Sequence, residues 1–391
     1  MQFIVKYFIV FALLFASGIA QSQDSINWKE KLDVRGYIKY MNSASFTDLD
    51  AVYTNNLIHN RINFKAYPSE KLTIGIELRN RIFYGETVAL NPLFGQQVGI
   101  DNGLIDMSFV LVDKSSFVMH SQIDRAYVNY ATDKWDVRVG RQRINWGINM
   151  AWNPNDLFNA YNLIDFDYME RPGSDAVRVQ YYPSLLSSVE IAVKPDEDLD
   201  KSVIAGLYKF NKWKYDFQVL GANYYTDVAL GGGWAGSLKD LGFKGEGTYF
   251  HPKQPFADTT GGFTMSATID YTFKKGIYIN ASYLINTLGT QSSNLLAMQQ
   301  LTSSNLSAKM LMPAKHTFFI QTSGSINPTT SLSLAVIYLE GMNLAFLMPS
   351  VGYSIKDNWD LSLVGQVYFG EVQNSFQNLG NSIYLRVTAN F

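Results

Sequence analysis

Two opposed sets of charged side chains hold the chemistry of this 391-residue chain. The first is basic. Arg35, Lys39, Arg61, Lys65, Arg79, Arg81, Arg125, Arg138 and Arg178 occupy polar positions in segments where apolar and polar residues alternate, opposed there only by Asp33, Glu77 and Asp136. The second set is acidic and sits in one stretch, residues 144–173 (INWGINMAWNPNDLFNAYNLIDFDYMERPG), together with residue 175. Asp156, Asp165, Asp167, Glu170 and Asp175 are balanced there by Arg171 alone, and Trp146, Trp152, Phe158, Tyr161, Phe166 and Tyr168 are interleaved with them. A segment so rich in aromatics is costly to expose to water, so it is expected to fold inward against the basic set. Opposed rows of charge across a narrow aqueous space create a transverse field that sorts solutes by charge and dipole. The plainer reading is a structural latch, since buried acids and arginines pair because neither stays buried alone. The two are compatible: some arginines can be tied to the stretch while others face solute.

The elements that must position these residues follow from the period of the apolar pattern. Residues 1–20 have Lys6 before an apolar run from Tyr7 to Phe15 and end on Gly18-Ile19-Ala20, the form of a cleaved export signal. Residues 21–30 are then an N-terminal periplasmic segment. From residue 31 to 391 the apolar period is two. Eighteen segments show it, near 31–41, 57–67, 71–84, 119–131, 135–143, 174–182, 186–194, 201–210, 212–224, 226–237, 241–250, 262–273, 276–287, 316–326, 331–341, 345–355, 359–370 and 380–391, with 226–237 and 345–355 the faintest. Every second connection is short, as at Thr132-Asp133-Lys134, Asn211 and Lys274-Lys275, whereas the long ones, 85–118, 144–173, 251–261 and 288–315, fall on the alternate side. Strict segregation of loop lengths is the mark of an all-β transmembrane antiparallel up-and-down barrel with short periplasmic turns and long extracellular loops. Trp135, Trp213 and Trp359 are expected in one aromatic girdle, and Tyr84, Tyr224, Tyr225, Phe250 and Phe369 in the other. The last residues, NSIYLRVTANF, place Phe391 at the end of an alternating strand, the form of the C-terminal signal read by barrel assembly machinery.

Composition closes off other classes. The charge is −2 from 32 bases and 34 acids, which gives no electrostatic case for nucleic acid. With no cysteine, disulfides, thiolate metal sites and cysteine nucleophiles are excluded. Neither a G-x-S-x-G elbow nor a Walker loop is present, and Gly231-Gly232-Gly233-Trp234 reads as a strand interior or tight bend. His59, His120, His251 and His316 are scattered without an i,i+4 pair, so a Ser–His site assembled across strands is a minor alternative. The run Pro195–Asp200 lacks the glycine and spacing of a calcium loop and reads as a solvated turn. No cofactor or metal is expected.

The acidic stretch and its flanks also carry a resemblance. Arg138-Val-Gly140-Arg141-Gln142-Arg143-Ile-Asn-Trp146-Gly147, then Trp152-Asn153-Pro154-Asn-Asp156-Leu-Phe158-Asn159, then Arg171-Pro172-Gly173-Ser-Asp175-Ala176-Val-Arg178 resembles a pattern of porin-like barrels of Gram-negative, Bacteroidetes-type bacteria and, more distantly, the alginate-export-like group. That likeness implies about eighteen strands and a basic lumen for a polyanion. Residues and resemblance together lead to an expected outer-membrane channel, in contact with lipid and lipopolysaccharide, passing small anionic or sugar-like solutes. The alternatives are exopolysaccharide export, a barrel enzyme or a surface adhesin.

Overall fold

The computed structural model describes residues 31–48, 50–160, 163, 165, 167, 170–253, 260–292, 306–372 and 375–391. The export signal assigned to residues 1–20, part of the loops, and the loop aromatics Tyr161, Phe166 and Tyr168 lie outside them. The strands in chain order begin β1 (Leu32–Phe46), β2 (Val52–Ser69), β3 (Leu72–Gly85), β4 (Ser108–Lys114), β5 (Phe117–Ala131), β6 (Trp135–Gln142) and β7 (Ser174–Ser184). They continue with β8 (Ser187–Lys194), β9 (Val203–Lys212), β10 (Tyr215–Tyr224), β11 (Asp227–Leu238), β12 (Leu241–Pro252) and β13 (Gly262–Thr272). The last six are β14 (Tyr278–Asn286), β15 (His316–Asn327), β16 (Thr330–Glu340), β17 (Leu344–Lys356), β18 (Trp359–Val372) and β19 (Ser375–Asn390). Two short helices, α1 (Glu86–Leu90) and α2 (Phe94–Val98), follow β3.

Each strand pairs antiparallel with its neighbours, and β1 pairs with β19, so the sheet closes on itself. Closure joins the first strand to the last and so removes the two terminal edges of the sheet, which is the condition for spanning lipid with strands. The seam is finished by the last residue: Gly36 and Phe391 exchange both backbone hydrogen bonds, at 2.8 and 2.9 Å. The barrel has eighteen staves, because β4 and β6 share one. β6 pairs with the lower half of β5, Ala126 to Ala131, and β4 with its upper half, Phe117 to Gln122. β4 lies inside the loop expected over 85–118. It is required because the chain leaves the wall at Gln142 for the lumen, and β5 would otherwise present bare N–H and C=O groups.

The alternating pattern sorts the two faces. Ile38, Ile76, Val128, Ile191, Ile204, Val219, Leu230, Ile269, Ile320, Leu334, Leu363 and Leu385 stand exposed on the outer, lipid-facing side. Their neighbours in sequence point inward. Trp135 and Trp359 are exposed near the short turns, the Trp135 ring tilted against Tyr181 at 4.6 Å between ring centroids. Three aromatics depart from the expected girdles. Trp213 does not open a strand: it forms a two-residue turn with Lys214, at φ 56° and 65°, the geometry that matches hairpin twist. Tyr224 and Phe250 face the lumen and are buried, because the staves carrying them are apolar on both sides. Ala192, Ala205, Leu207, Leu220, Ala222 and Ala229 share that inner face. What covers them is the loop after β6.

Candidate functional site

The loop from residue 143 to 173 leaves the wall where β6 stops and returns at β7. Its first half docks on β8–β16. Ile144, Trp146, Leu157 and Phe158 join the apolar inner face of β8–β12, with the Trp146 and Phe158 rings edge to face at 5.1 Å. Trp152 enters a second cluster with Leu284, Phe319, Ile337 and Met312. Full burial of each such side chain contributes roughly 1.5–3 kcal/mol, so this docking is the loop's main anchor. Polar groups fix its register. Trp146 donates from Nε1 to Glu190 at 2.7 Å, Gln218 donates to the Trp146 carbonyl at 2.7 Å, and Glu246 accepts from the Ile148 N–H at 2.6 Å. The run Gly231–Gly233 has its reason here. A Cβ on Gly231 would meet Asn155 at 2.9 Å, and one on Gly233 would meet Ile148 Cδ1 at 2.9 Å, so the wall is thinned where the loop lies against it.

The second half of the loop meets the basic staves β1–β3 and β19. Asp167 lies 2.7 Å from Lys39 Nζ and 3.2 Å from Arg386 Nη1. Glu170 accepts from the Tyr37 hydroxyl at 3.2 Å and is 3.8 Å from Arg61. Asp165 is exposed and accepts from the Asp167 N–H at 3.2 Å. Arg171 pairs with Asp156 at 3.1 Å and offers its carbonyl to Arg125 at 3.0 Å. Burial pushes the Asp156 carboxyl up to about 6, against the pull of Arg171. Asp175 is held by Arg141 through two bonds, at 2.8 and 2.9 Å, and Arg141 also takes Asp101 at 2.6 Å. Arg141 thereby ties the preceding long loop to the same post.

Most of the basic set is ion-paired. Arg61 reaches Asp124 and Glu77, Arg79 pairs with Asp124 at 2.9 Å, Arg125 with Glu77 at 3.2 Å, and Arg178 with Asp136 at 2.6 Å. Arg81 contacts His120 at 3.2 Å. Arg35 pairs with Asp33 at 2.9 Å in the open mouth, and Lys65 stands opposite Asp33 in the β1–β2 register. Arg138 is different. It stands directly opposite Arg178 across β6 and β7, donates to Asn129 at 2.8 Å and lies 4.6 Å over the Tyr127 ring.

Strict alternation hides one member of the site. With Arg125, Tyr127 and Asn129 taken as inward, strict alternation turns Asp124 toward the outer face, although His120 and Gln122 before it point inward as well. The register shifts between Glu77 and Leu78, where Arg125 and then Ile123 are the partners, and Asp124 is the extra residue of a bulge. Both Asp124 and Arg125 therefore reach the lumen. The sign of this in the sequence is the change of parity, polar at 120 and 122, then at 125, 127 and 129. Asp101, Arg141, Glu190 and Glu246 were also missed as site residues. Asp101 acts from a distant loop, which spacing along the chain does not reveal.

The lumen also brings a serine to a histidine: Ser108 Oγ lies 2.8 Å from His120 Nε2. Arg81 can only donate, so the His120 Nδ1 facing it is the acceptor and the proton sits on Nε2. That nitrogen donates to Ser108, so this pair is in the wrong tautomer to activate the hydroxyl. Among the described residues no group of three or more His, Asp or Glu is arranged for a metal ion. No described helix is long and apolar enough to cross a membrane, and the crossing is made by strands.

No protein-family model matches the chain, and no curated protein sequence matches it. Solved structures do resemble it. The crystal structure of OccK11 (OpdR) from Pseudomonas aeruginosa superposes with a TM-score of 0.56 at 7% identity, over 92% of this chain and 96% of that one. OccAB4 from Acinetobacter baumannii gives 0.54 at 11% identity over 93% and 100%. The outer membrane protein OprD of Pseudomonas aeruginosa gives 0.54 at 9% over 95% and 96%. At these identities the likeness is one of fold, and the fold is that of an outer-membrane porin barrel.

Proposed function

We propose that this chain is a passive outer-membrane channel for small polar solutes, with a preference for anionic or sugar-like ones. One observation carries the reading: a loop anchored to one wall by buried aromatics reaches across the lumen and sets its acids against basic staves. A narrowed, charged, water-filled passage of this kind selects by charge and needs no nucleotide or cofactor. Arg138 favours anions. Like charges directly opposite each other destabilise a sheet, and the Arg138–Arg178 pair is offset by a single acid, Asp136. The remaining arginines are held mostly by acids of the wall itself, with Arg61 and Arg125 also touching the loop, so selectivity rests on few bases rather than on the whole set of nine.

Reversal potentials across a planar bilayer under a potassium chloride gradient test this. Anion preference is expected, weakened by Arg138→Gln, and clear cation selectivity of the purified protein would sink it. Exopolysaccharide export is the poorer fit, since a polymer needs the loop out of the lumen, whereas two apolar clusters hold it there. The same reading takes residues 1–20 as an export signal, Phe391 as the assembly signal, and lipid and lipopolysaccharide as the surroundings of the outer face.

A further inference from the structure

The outer wall carries a feature that neither the loop nor the lumen explains. On the lipid-facing side a groove of about 1010 Å³ crosses the staves from Ile277, at the foot of β14, to Phe46 on β1. Its floor consists of outward positions with short side chains. Thr322 and Pro349 lie in one row of the sheet, each paired with Leu334, and Gly365 continues that row to Ile383. A Cβ on Gly365 would come within 3.1 Å of Pro349 Cγ, so the two floor positions adjoin. Gly324 lies one row below, where its partner Leu332 and then Val351 and Leu363 stand exposed as the lower bank. At about 4.8 Å per strand, a trough from β14 to β1 is long enough for an extended acyl chain.

One end of this apolar trough is charged. Lys274 and Lys275 form the short turn that leads into Ile277; both are exposed, and neither has an ion-pair partner among the described residues. Asp270, the acid nearest them on β13, alternates with exposed Ile269, so it faces the lumen, where it pairs with Lys244 at 3.1 Å. Beside the turn, Tyr271 and Phe273 pack edge to face at 4.8 Å, an aromatic pair at the level where lipid headgroups begin. Two uncompensated cations at that level call for an anion. A second barrel is a poor occupant of the trough, because two convex walls meet along a line and leave a concavity unfilled. A flexible acyl chain fills it.

We infer that the groove is the seat of one anionic glycerophospholipid of the periplasmic leaflet. Its acyl chain lies over Gly324, Pro349 and Gly365, and its phosphate sits at Lys274 and Lys275. Each lysine near the membrane surface favours an anionic lipid by roughly fivefold, so charge selects the headgroup while the trough selects the chain. The lipid completes the outer wall where the barrel's own side chains leave it thin. No lumen residue takes part, so the inference goes beyond the channel reading, and failure of either leaves the other standing.

Native mass spectrometry of the detergent-purified full chain tests it, by titration with phosphatidylglycerol or with phosphatidylcholine of the same acyl chains. The parent is expected to hold one phosphatidylglycerol at least tenfold more tightly than phosphatidylcholine. Lys274→Gln with Lys275→Gln should abolish that preference and leave phosphatidylcholine binding as it was. Gly324→Leu fills the trough, yet its Cβ meets nothing nearer than Ile277 at 3.6 Å, so the barrel should stay heat-modifiable and bind both lipids at least fivefold more weakly. Lys212→Gln with Lys214→Gln, at the β9–β10 turn away from the groove, is the control and should bind as the parent does. Equal retention of the two lipids by the parent, a comparison that needs no variant, would overturn the inference. Equal losses in the two lysine pairs would overturn it too. A dimer that carries no lipid and is split by Gly324→Leu would give the groove to a second copy of the chain and overturn it likewise.

Discussion

At the scale of single residues, the site is governed by which charges are buried and by how many partners each has. Asp124 is the extreme case: a bulge residue that alternation would send into lipid neutralises two buried arginines, Arg61 and Arg79. Removing one partner of a buried pair leaves an uncompensated charge at a cost of about 3–5 kcal/mol. Asp124→Asn should therefore lower the guanidinium midpoint of the detergent-solubilised barrel markedly. Asp33→Asn supplies the comparison, since the Arg35 side chain is 77% exposed and pairs of that kind contribute less than about 1 kcal/mol. Equal midpoints for the two variants would show that Asp124 is not the counter-ion the geometry makes it. The pairing also explains why a count of nine bases overstated the field available to a solute. In sequence the arginines of β2–β5 appear nearly unopposed, because their counter-ions Asp124 and Glu170 come from a bulge and a loop.

At the scale of elements, the glycines of β11 and the loop they face form one device. A Cβ at Gly231 or Gly233 would meet the loop, at Asn155 and Ile148, and also the neighbouring stave, at Thr248 Oγ1 and the Gly245 carbonyl, so a side chain there crowds the docked loop and the β12 wall alike. Gly233→Leu should displace the first half of the loop, raise single-channel conductance about twofold or more, and expose the loop to protease while the barrel still assembles. Gly221→Leu on β10 is the control, because its added Cβ would meet only Leu230 Cδ2 at 3.6 Å. A Gly233→Leu barrel with parental conductance would mean the loop does not narrow the path. This device also marks the limit of what alternation could reveal. Where one face is apolar and the other carries polar or charged side chains, as at Leu32–Phe46, the period of two located the strand to within a few residues. Where the inner face meets the loop, both faces are apolar or blank. The faintness of 226–237 and 345–355 follows, since Ala229 and Phe346 are buried inward beneath loop residues. Tyr224 and Phe250 were placed in a girdle for the same reason: an aromatic near a strand end looks alike whether it faces lipid or a plug. β4 escaped notice because its only role is to complete β5 above the point where β6 stops, a need that arises in three dimensions alone.

At the scale of the whole molecule, closure is what brings the site into being. Lys39 lies on the first strand and Arg386 on the last, 347 positions apart by number, yet β1–β19 pairing sets them side by side beneath one aspartate. Of the neighbours of Arg386, Ser362 stands on the adjacent β18, whereas Lys39 is reached only across the seam and Asp167 only from the loop. Phe391 finishes that seam through two backbone bonds to Gly36, and its ring lies over Gly36, where a Cβ would come within 2.7 Å of Phe391 Cζ. Deleting Phe391 removes both bonds and the ring, whereas Phe391→Ala keeps the bonds. If the last residue serves assembly partly by closing the seam, the fraction of heat-modifiable barrel recovered from outer membranes should fall severalfold on deletion and less for the alanine variant. The same order should appear when urea-unfolded protein refolds into detergent micelles without any assembly machinery, because the seam must close there too. An effect seen in cells and absent in micelles would assign Phe391 to recognition alone. Normal recovery of the truncated chain in both settings would deny it either role, and would leave the Lys39–Arg386 juxtaposition to be held by the remaining β1–β19 ladder and the Asp167 bridge.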